Sequence, residues 1–203
     1  MNTAASGTHA ARRLRSRRRR WLAIVAAAAL GVGAAIGISR IDLDKAIREL
    51  TLPLQHEDII RQQAAAKHVD PSLIAAVIYA ESRFRDQESR AGALGLMQIT
   101  PQTADVIARL SGGTSFVTGD LSNPDINIRY GTYYLRYLLH RYDGNEVAAL
   151  SAYNAGTRAA DRWGGSALAV DAISYPETRA YVEEVFDKRQ EYRDKYADEL
   201  GVR

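Results

Sequence analysis

One carboxylate stands where an apolar side chain belongs. In the segment PSLIAAVIYAES, residues 71–82, Leu73, Val77 and Glu81 recur at i, i+4 and i+8, with Ile74 and Ile78 beside them. On a helix these positions share one face, so Glu81 extends a core-facing ridge by one more turn. Partial burial disfavours the charged carboxylate and raises its pKa. A carboxyl tuned in this way stays protonated near neutral pH and can serve as a general acid. The plainer alternative is a glutamate at a helix end that tilts into solvent or pairs with Arg83 or Arg85.

Such an acid needs a cleft, and two later segments have the residues for one. GALGLMQITP, residues 92–101, has glycines that let backbone approach a ligand, and Gln98 carries both amide donor and acceptor. ALSAYNAGT, residues 149–157, puts Tyr153 and Asn154 near a helix end, where a ring and an amide could hold a polar ring substrate. Met97 reads as core, and Asn154 reads equally as a helix end before Gly156. Tyr130, Tyr134 and Tyr137 form a helical stripe, which fits a core face better than a sugar platform.

The elements that must position these groups are helices. Residues 57–68 carry apolar side chains at Ile59, Ile60, Ala64 and Ala65. Asp70-Pro71, Thr100-Pro101 and Asn123-Pro124 each read as an N-cap followed by proline at the first helical position. They predict helices to about Ser82, Leu110 and Tyr142. Asn145 predicts a helix ending near Asn154. Ser174-Tyr175-Pro176-Glu177 has capping-box spacing and predicts a last helix to about Glu199. Residues 84–99 predict a long irregular stretch, and no convincing period-two alternation or internal repeat occurs.

Composition bounds the rest. The 203 residues are 46% hydrophobic and contain no cysteine, which excludes disulfides, thiolate metal sites and a cysteine nucleophile. The net charge of +3 misleads, because residues 1–20 hold seven arginines and no acid. The remainder carries 27 − 7 = 20 basic against 24 acidic side chains, which argues against a nucleic-acid partner. His56, His68 and His140 have no ligand-like spacing, so neither a metal nor another cofactor is expected.

Trp21 to Ile38 is 18 residues without a charge, enough for a helix of roughly 27 Å, close to the thickness of the hydrocarbon core. The arginines before it place the N-terminus in the cytoplasm and the body outside. A cleaved signal peptide, with Gly33-Ala34-Ala35 as its small-residue site, is the alternative. The expected organisation is a basic tail at 1–20, a transmembrane anchor at 21–38, a stalk at 39–55 and a catalytic domain at 56–200.

Glu81-Ser82, Gly95-Leu96-Met97-Gln98, Ala152-Tyr153-Asn154-Ala155-Gly156 and Pro176-Glu177-Thr178-Arg179 with Tyr181-Val182 occur in one order over about 100 residues. GTYYLRYLL from Gly131 precedes the Tyr-Asn segment. In this order and spacing the chain, over about residues 57–190, resembles the soluble lytic transglycosylases of the lysozyme-like superfamily. The loop between Glu81 and Gly95 is about one residue shorter than in the commonest members, so Ser89, counted back from Gly95, takes the place of the loop serine.

The resemblance implies a mainly α, lysozyme-like catalytic domain after the transmembrane helix. It implies non-hydrolytic cleavage of peptidoglycan glycan strands, with Glu81 acting first as acid and then as base. It assigns substrate contacts to Ser89, Gln98, Tyr153 and Asn154, to the backbone around Met97, and to Glu177. Cell-wall or secretion machinery would be the further partners. A paired-carboxylate glycosidase needs a second acid about 5–9 Å away. Asp86 and Glu88 lie in the loop after Glu81 but carry no other signature. The rival readings are a lysozyme-type hydrolase of the same bond and a silent peptidoglycan-binding module.

Overall fold

The computed structural model describes residue 43, residues 45–111 and residues 118–202. The tail and the expected anchor at 21–38 lie outside the described residues. Among the described residues no helix is long and apolar enough to cross a membrane. The chain divides into two units, Met1–Thr51 and Leu52–Arg203. In the first, residues 45–51 are helical, and the Thr51 hydroxyl donates to the Ile47 carbonyl at 2.8 Å.

The described residues of the second unit are mainly helical. Its helices are α1 (Glu57–Lys67), α2 (Pro71–Ser82), α3 (Pro101–Ser111), α4 (Pro124–Arg141), α5 (Glu146–Ala155), α6 (Thr157–Trp163), α7 (Pro176–Lys195) and α8 (Ala197–Leu200). Extended pairing among the described residues is confined to isolated bridges, Glu88 with Leu94 and Leu94 with Ile99. Helix starts follow the sequence signals. The Asp70 carboxylate accepts from the Ser72 N–H at 2.9 Å, Asn123 from the Asp125 N–H at 2.9 Å and Asn145 from the Ala148 N–H at 3.0 Å. Each such cap contributes about 1 kcal/mol by satisfying a donor that the helix leaves open.

The expected capping box at Ser174 does not form. Tyr175 is the N-cap of α7 and makes no side-chain cap bond. Proline at the first helical position presets the turn, so α7 starts without one. Helix α6 was not expected. It is short and follows Gly156, whose φ of 85° makes a break that hides the renewed helix from any periodicity.

α2 is the central helix. Leu73 through Ile78 are all essentially without solvent exposure, so this helix is covered on every side. It packs along α7, where Tyr79 and Phe84 meet the buried ring of Tyr192 at centroid distances of 6.4 and 6.2 Å. Arg193 of α7 pairs with the Asp70 cap at 2.7 Å. The compact unit begins before the expected His56. Leu52 is fully buried, and the Tyr196 and Tyr192 phenols donate to the carbonyls of Leu52 and Pro53 at 2.8 and 2.6 Å.

Candidate active site

Glu81 occupies the last turn of α2, and the chain reverses immediately beyond it. Arg83 and Phe84 adopt φ of 53° and 59°, left-handed values that non-glycine residues rarely take. The buried Phe84 ring against Tyr192 holds this turn in place. The Arg83 N–H donates to the Tyr79 carbonyl at 2.9 Å and closes the helix. Neither arginine neutralises Glu81. Arg83 pairs with Glu184 at 3.0 Å, and Arg85 donates to the Ser82 carbonyl at 3.4 Å.

Among the described residues no cation pairs with Glu81. Part of its surface opens on a cleft while protein atoms crowd its other sides. Burial pushes the carboxyl up to about 7, against a smaller lowering effect of the Tyr181 phenol. Among the described residues the buried Tyr181 hydroxyl makes no hydrogen bond of ordinary geometry. It stands close enough to favour the charged form of Glu81, and burial, with Glu81 next, keeps the phenol itself neutral.

The irregular stretch forms the adjoining wall. The Ser89 N–H donates to the Ala93 carbonyl at 2.9 Å, and the Ser89 hydroxyl accepts from the Ala93 N–H at 3.0 Å. Gln98 has a left-handed φ of 47°, and its amide nitrogen donates to the carbonyls of Gly95 and Gln87 at 2.8 and 3.0 Å. The expected two-sided amide is therefore half committed to the loop, which leaves its carbonyl oxygen for a ligand.

A buried asparagine fixes this loop to α4. Asn127 accepts from the Met97 N–H at 2.7 Å and donates to the carbonyls of Leu94 and Leu121 at 2.8 and 2.9 Å. Gly95 must be glycine, since a Cβ there would lie 2.2 Å from the Asn127 amide. Gly131 must be small for the same reason, with a Cβ 2.4 Å from the Met97 sulfur. The sequence offered no local sign of Asn127, because its partners lie up to 33 residues away.

Glu81, Ser89, Gln98, Tyr153 and Asn154 line one cleft of about 260 Å³, with Thr100, Thr103 and Tyr134 on its walls. The Tyr153 phenol donates to the Met97 carbonyl at 2.9 Å, and its ring lies 5.6 Å from that of Tyr134. Tyr134, read from sequence as core, therefore faces the cleft as well. The Asn154 carbonyl oxygen accepts from the Thr178 hydroxyl at 2.8 Å, which directs its amide nitrogen elsewhere. Met97 lies beneath the cleft, fully buried, with its carbonyl taken by Tyr153. Glu177 is exposed on the first turn of α7, one residue before Thr178, and does not line the cleft. Among the described lining residues Glu81 is the one carboxyl.

A model of the transglycosylase SLT domain matches residues 58–175, more than half of the chain. The chain belongs to this family. The soluble lytic murein transglycosylase of Escherichia coli (strain K12) is 32% identical over 154 residues, 71% of this chain and 24% of that protein. Membrane-bound lytic murein transglycosylase C of Actinobacillus pleuropneumoniae serotype 5b (strain L20) is 36% identical over 115 residues, 52% of this chain and 32% of that protein. The crystal structure of the 70 kDa soluble lytic transglycosylase of E. coli superposes with a TM-score of 0.68 at 32% identity, covering 75% of this chain and 26% of that one. An inactive glutamate-to-glutamine mutant of the lytic transglycosylase Slt from Pseudomonas aeruginosa superposes with a TM-score of 0.68 at 34% identity, covering 73% of this chain and 25% of that one. This SLT chain spans about a quarter of the length of its soluble relatives, 24% for the E. coli protein. Its fold is the mainly helical, lysozyme-like one expected from the sequence.

Proposed function

We propose that the chain is a lytic transglycosylase that cuts the β-1,4 bond between N-acetylmuramic acid and N-acetylglucosamine without water. The observation that carries this reading is a single carboxyl, raised to about 7, in a cleft with no second acid among its described lining residues. Protonated Glu81 gives its proton to the glycosidic oxygen as the bond from C1 breaks. The substrate's own 2-acetamido oxygen meets the positive charge at C1, the task a second carboxylate performs in paired-acid glycosidases. Glu81, now a carboxylate, takes the proton of the muramic acid C6 hydroxyl. That oxygen closes on C1 to give a 1,6-anhydro ring, and Glu81 is protonated again.

The other assignments follow the same reading. The carbonyl side of Gln98, the amide nitrogen of Asn154 and the hydroxyl of Ser89 bind sugar, and the Tyr153 ring forms a wall. Met97 acts through its backbone by holding Tyr153. Glu177 supports the site through the start of α7, beside the Thr178 contact to Asn154.

Digestion of purified peptidoglycan by the full chain, followed by mass spectrometry, tests the reading. Anhydro-muramic ends from the wild type, with a rate loss of about a hundredfold or more for Glu81→Gln, are expected. Reducing ends would identify a lysozyme-type hydrolase. Binding without cleavage would identify a silent module.

The proposal includes its placement. Residues 21–38 act as a single-pass anchor with the N-terminus in the cytoplasm, so the catalytic unit works on the wall from the outer side of that membrane. A chain lacking residues 1–40 and exported by another signal is expected to cleave the wall less in cells. Equal cleavage would remove the anchor from the proposal.

A further inference from the structure

Among the described residues five large hydrophobic side chains are exposed, and three of them crowd one short segment: Leu43, Ile47 and Leu50, at 59, 49 and 84%. The chain is helical at residue 43 and over 45–51, so the three stand at i, i+4 and i+7 and share one face. Charge is kept off that face. Lys45 and Glu49 pair with each other at 3.8 Å on the opposite side. So short a helix is marginal in water, and covering its apolar face would stabilise it.

Two surfaces could cover it, a membrane or a second copy of the chain. A helix that lies on a membrane carries a polar face rich in Lys and Arg. Residues 41–50 instead hold three acids, Asp42, Asp44 and Glu49, against two bases, Lys45 and Arg48. Apolar residues spaced by four and then three are the seam of a two-stranded coiled coil. The seven-residue period continues backward in sequence, where Leu50, Leu43, Ile36, Ala29 and Leu22 are all apolar. The alternate seam position runs Ile47, Arg40, Gly33 and Ala26, and its one charge, Arg40, stands after the apolar stretch has ended. That stretch ends at Ile38, five residues before Leu43. Copies held by it in one membrane would emerge in parallel and at high effective concentration.

We propose that Leu43, Ile47 and Leu50 form the seam of a parallel homodimer, covered by the same face of a second copy. The inference rests on the anchor placement proposed above. It brings two catalytic units to one point on the membrane.

The sequence has no cysteine, so single cysteines placed in the full chain report this pairing alone. A disulfide needs Cβ atoms about 3.5–4.5 Å apart. Facing seam positions on helices about 8–10 Å apart meet that need, and outward positions do not. In membranes treated with a mild oxidant, Leu43→Cys, Ile47→Cys and Leu50→Cys should form covalent dimers about tenfold faster than Lys45→Cys and Glu49→Cys. All five positions are exposed, so accessibility alone gives no such pattern. Equal rates at the five positions, or dimers from none, would overturn the seam. A second arm identifies the occupant. Adding Ile47→Asp to the Leu43→Cys chain should cut the yield about tenfold, because two carboxylates then face each other. Co-expressing Ile47→Asp and Ile47→Lys chains, each with Leu43→Cys, should restore it, and no restoration would remove the second copy as occupant. Quenching of a fluorophore at position 50 by spin-labelled lipid headgroups, without covalent dimers, would assign the face to the membrane and overturn the proposal. Ile47→Asp should digest purified peptidoglycan like wild type, since Ile47 does not line the cleft. If the chain is recovered outside the membrane, the anchor reading fails, and the same cysteine pattern in that chain still decides the pairing.

Discussion

Glu81 gains its chemistry from what its neighbours withhold. Arg83 and Arg85 find other partners, and burial holds the carboxyl near 7 instead of its ordinary 4.5. The raised value makes the folded state favour the neutral form. No penalty exists below pH 4.5, where both folded and unfolded chains are protonated, and stability is lost as pH rises through about 7. Glu81→Gln should therefore unfold in urea like wild type near pH 4, and be the more stable by about 3 kcal/mol at pH 8. Tyr181 works in the opposite sense. Its phenol favours the carboxylate, so Tyr181→Phe should raise the Glu81 pKa and move the alkaline limb of kcat/KM to higher pH. An unmoved limb would take Tyr181 out of the site's electrostatics.

At the scale of elements, the cleft is a loop pinned by one side chain and seated on one glycine. Asn127→Ala would strand the Met97 N–H and the Leu94 and Leu121 carbonyls, and should cost about 3 kcal/mol in denaturant unfolding. Gly131→Ala should cost about 1–3 kcal/mol, and less when Met97 is also cut to Ala, because the added methyl then has room. Additive costs would show that Met97 yields without resistance. The same elements show what the sequence could announce. Asp70, Asn123 and Asn145 declare their helices because a cap acts on a donor two or three residues away. Glu81 was legible because it interrupts a ridge. Asn127, Tyr181 and the cleft-facing side of Tyr134 were not, since each owes its role to chain that is distant in sequence. Ser174 misled because the spacing of a capping box is necessary for one but does not build it.

At the scale of the whole molecule, the second unit is tied off at its start by the end of its last long helix. Leu52 is fully buried, and Tyr192 and Tyr196 hold the first two carbonyls of the unit. A fragment of residues 52–203 should therefore unfold cooperatively. A fragment of residues 56–203 should be less stable by about 3 kcal/mol, through one buried leucine and two hydrogen bonds. Equal stability would move the boundary back to His56. The central claim, that one carboxyl serves as both acid and base and water takes no part, is tested most directly by digesting peptidoglycan in water enriched in oxygen-18. If Glu81 acts alone, the new muramic ends are anhydro rings that carry no heavy oxygen. Heavy oxygen at C1 of those ends would contradict it and would require a group that activates water.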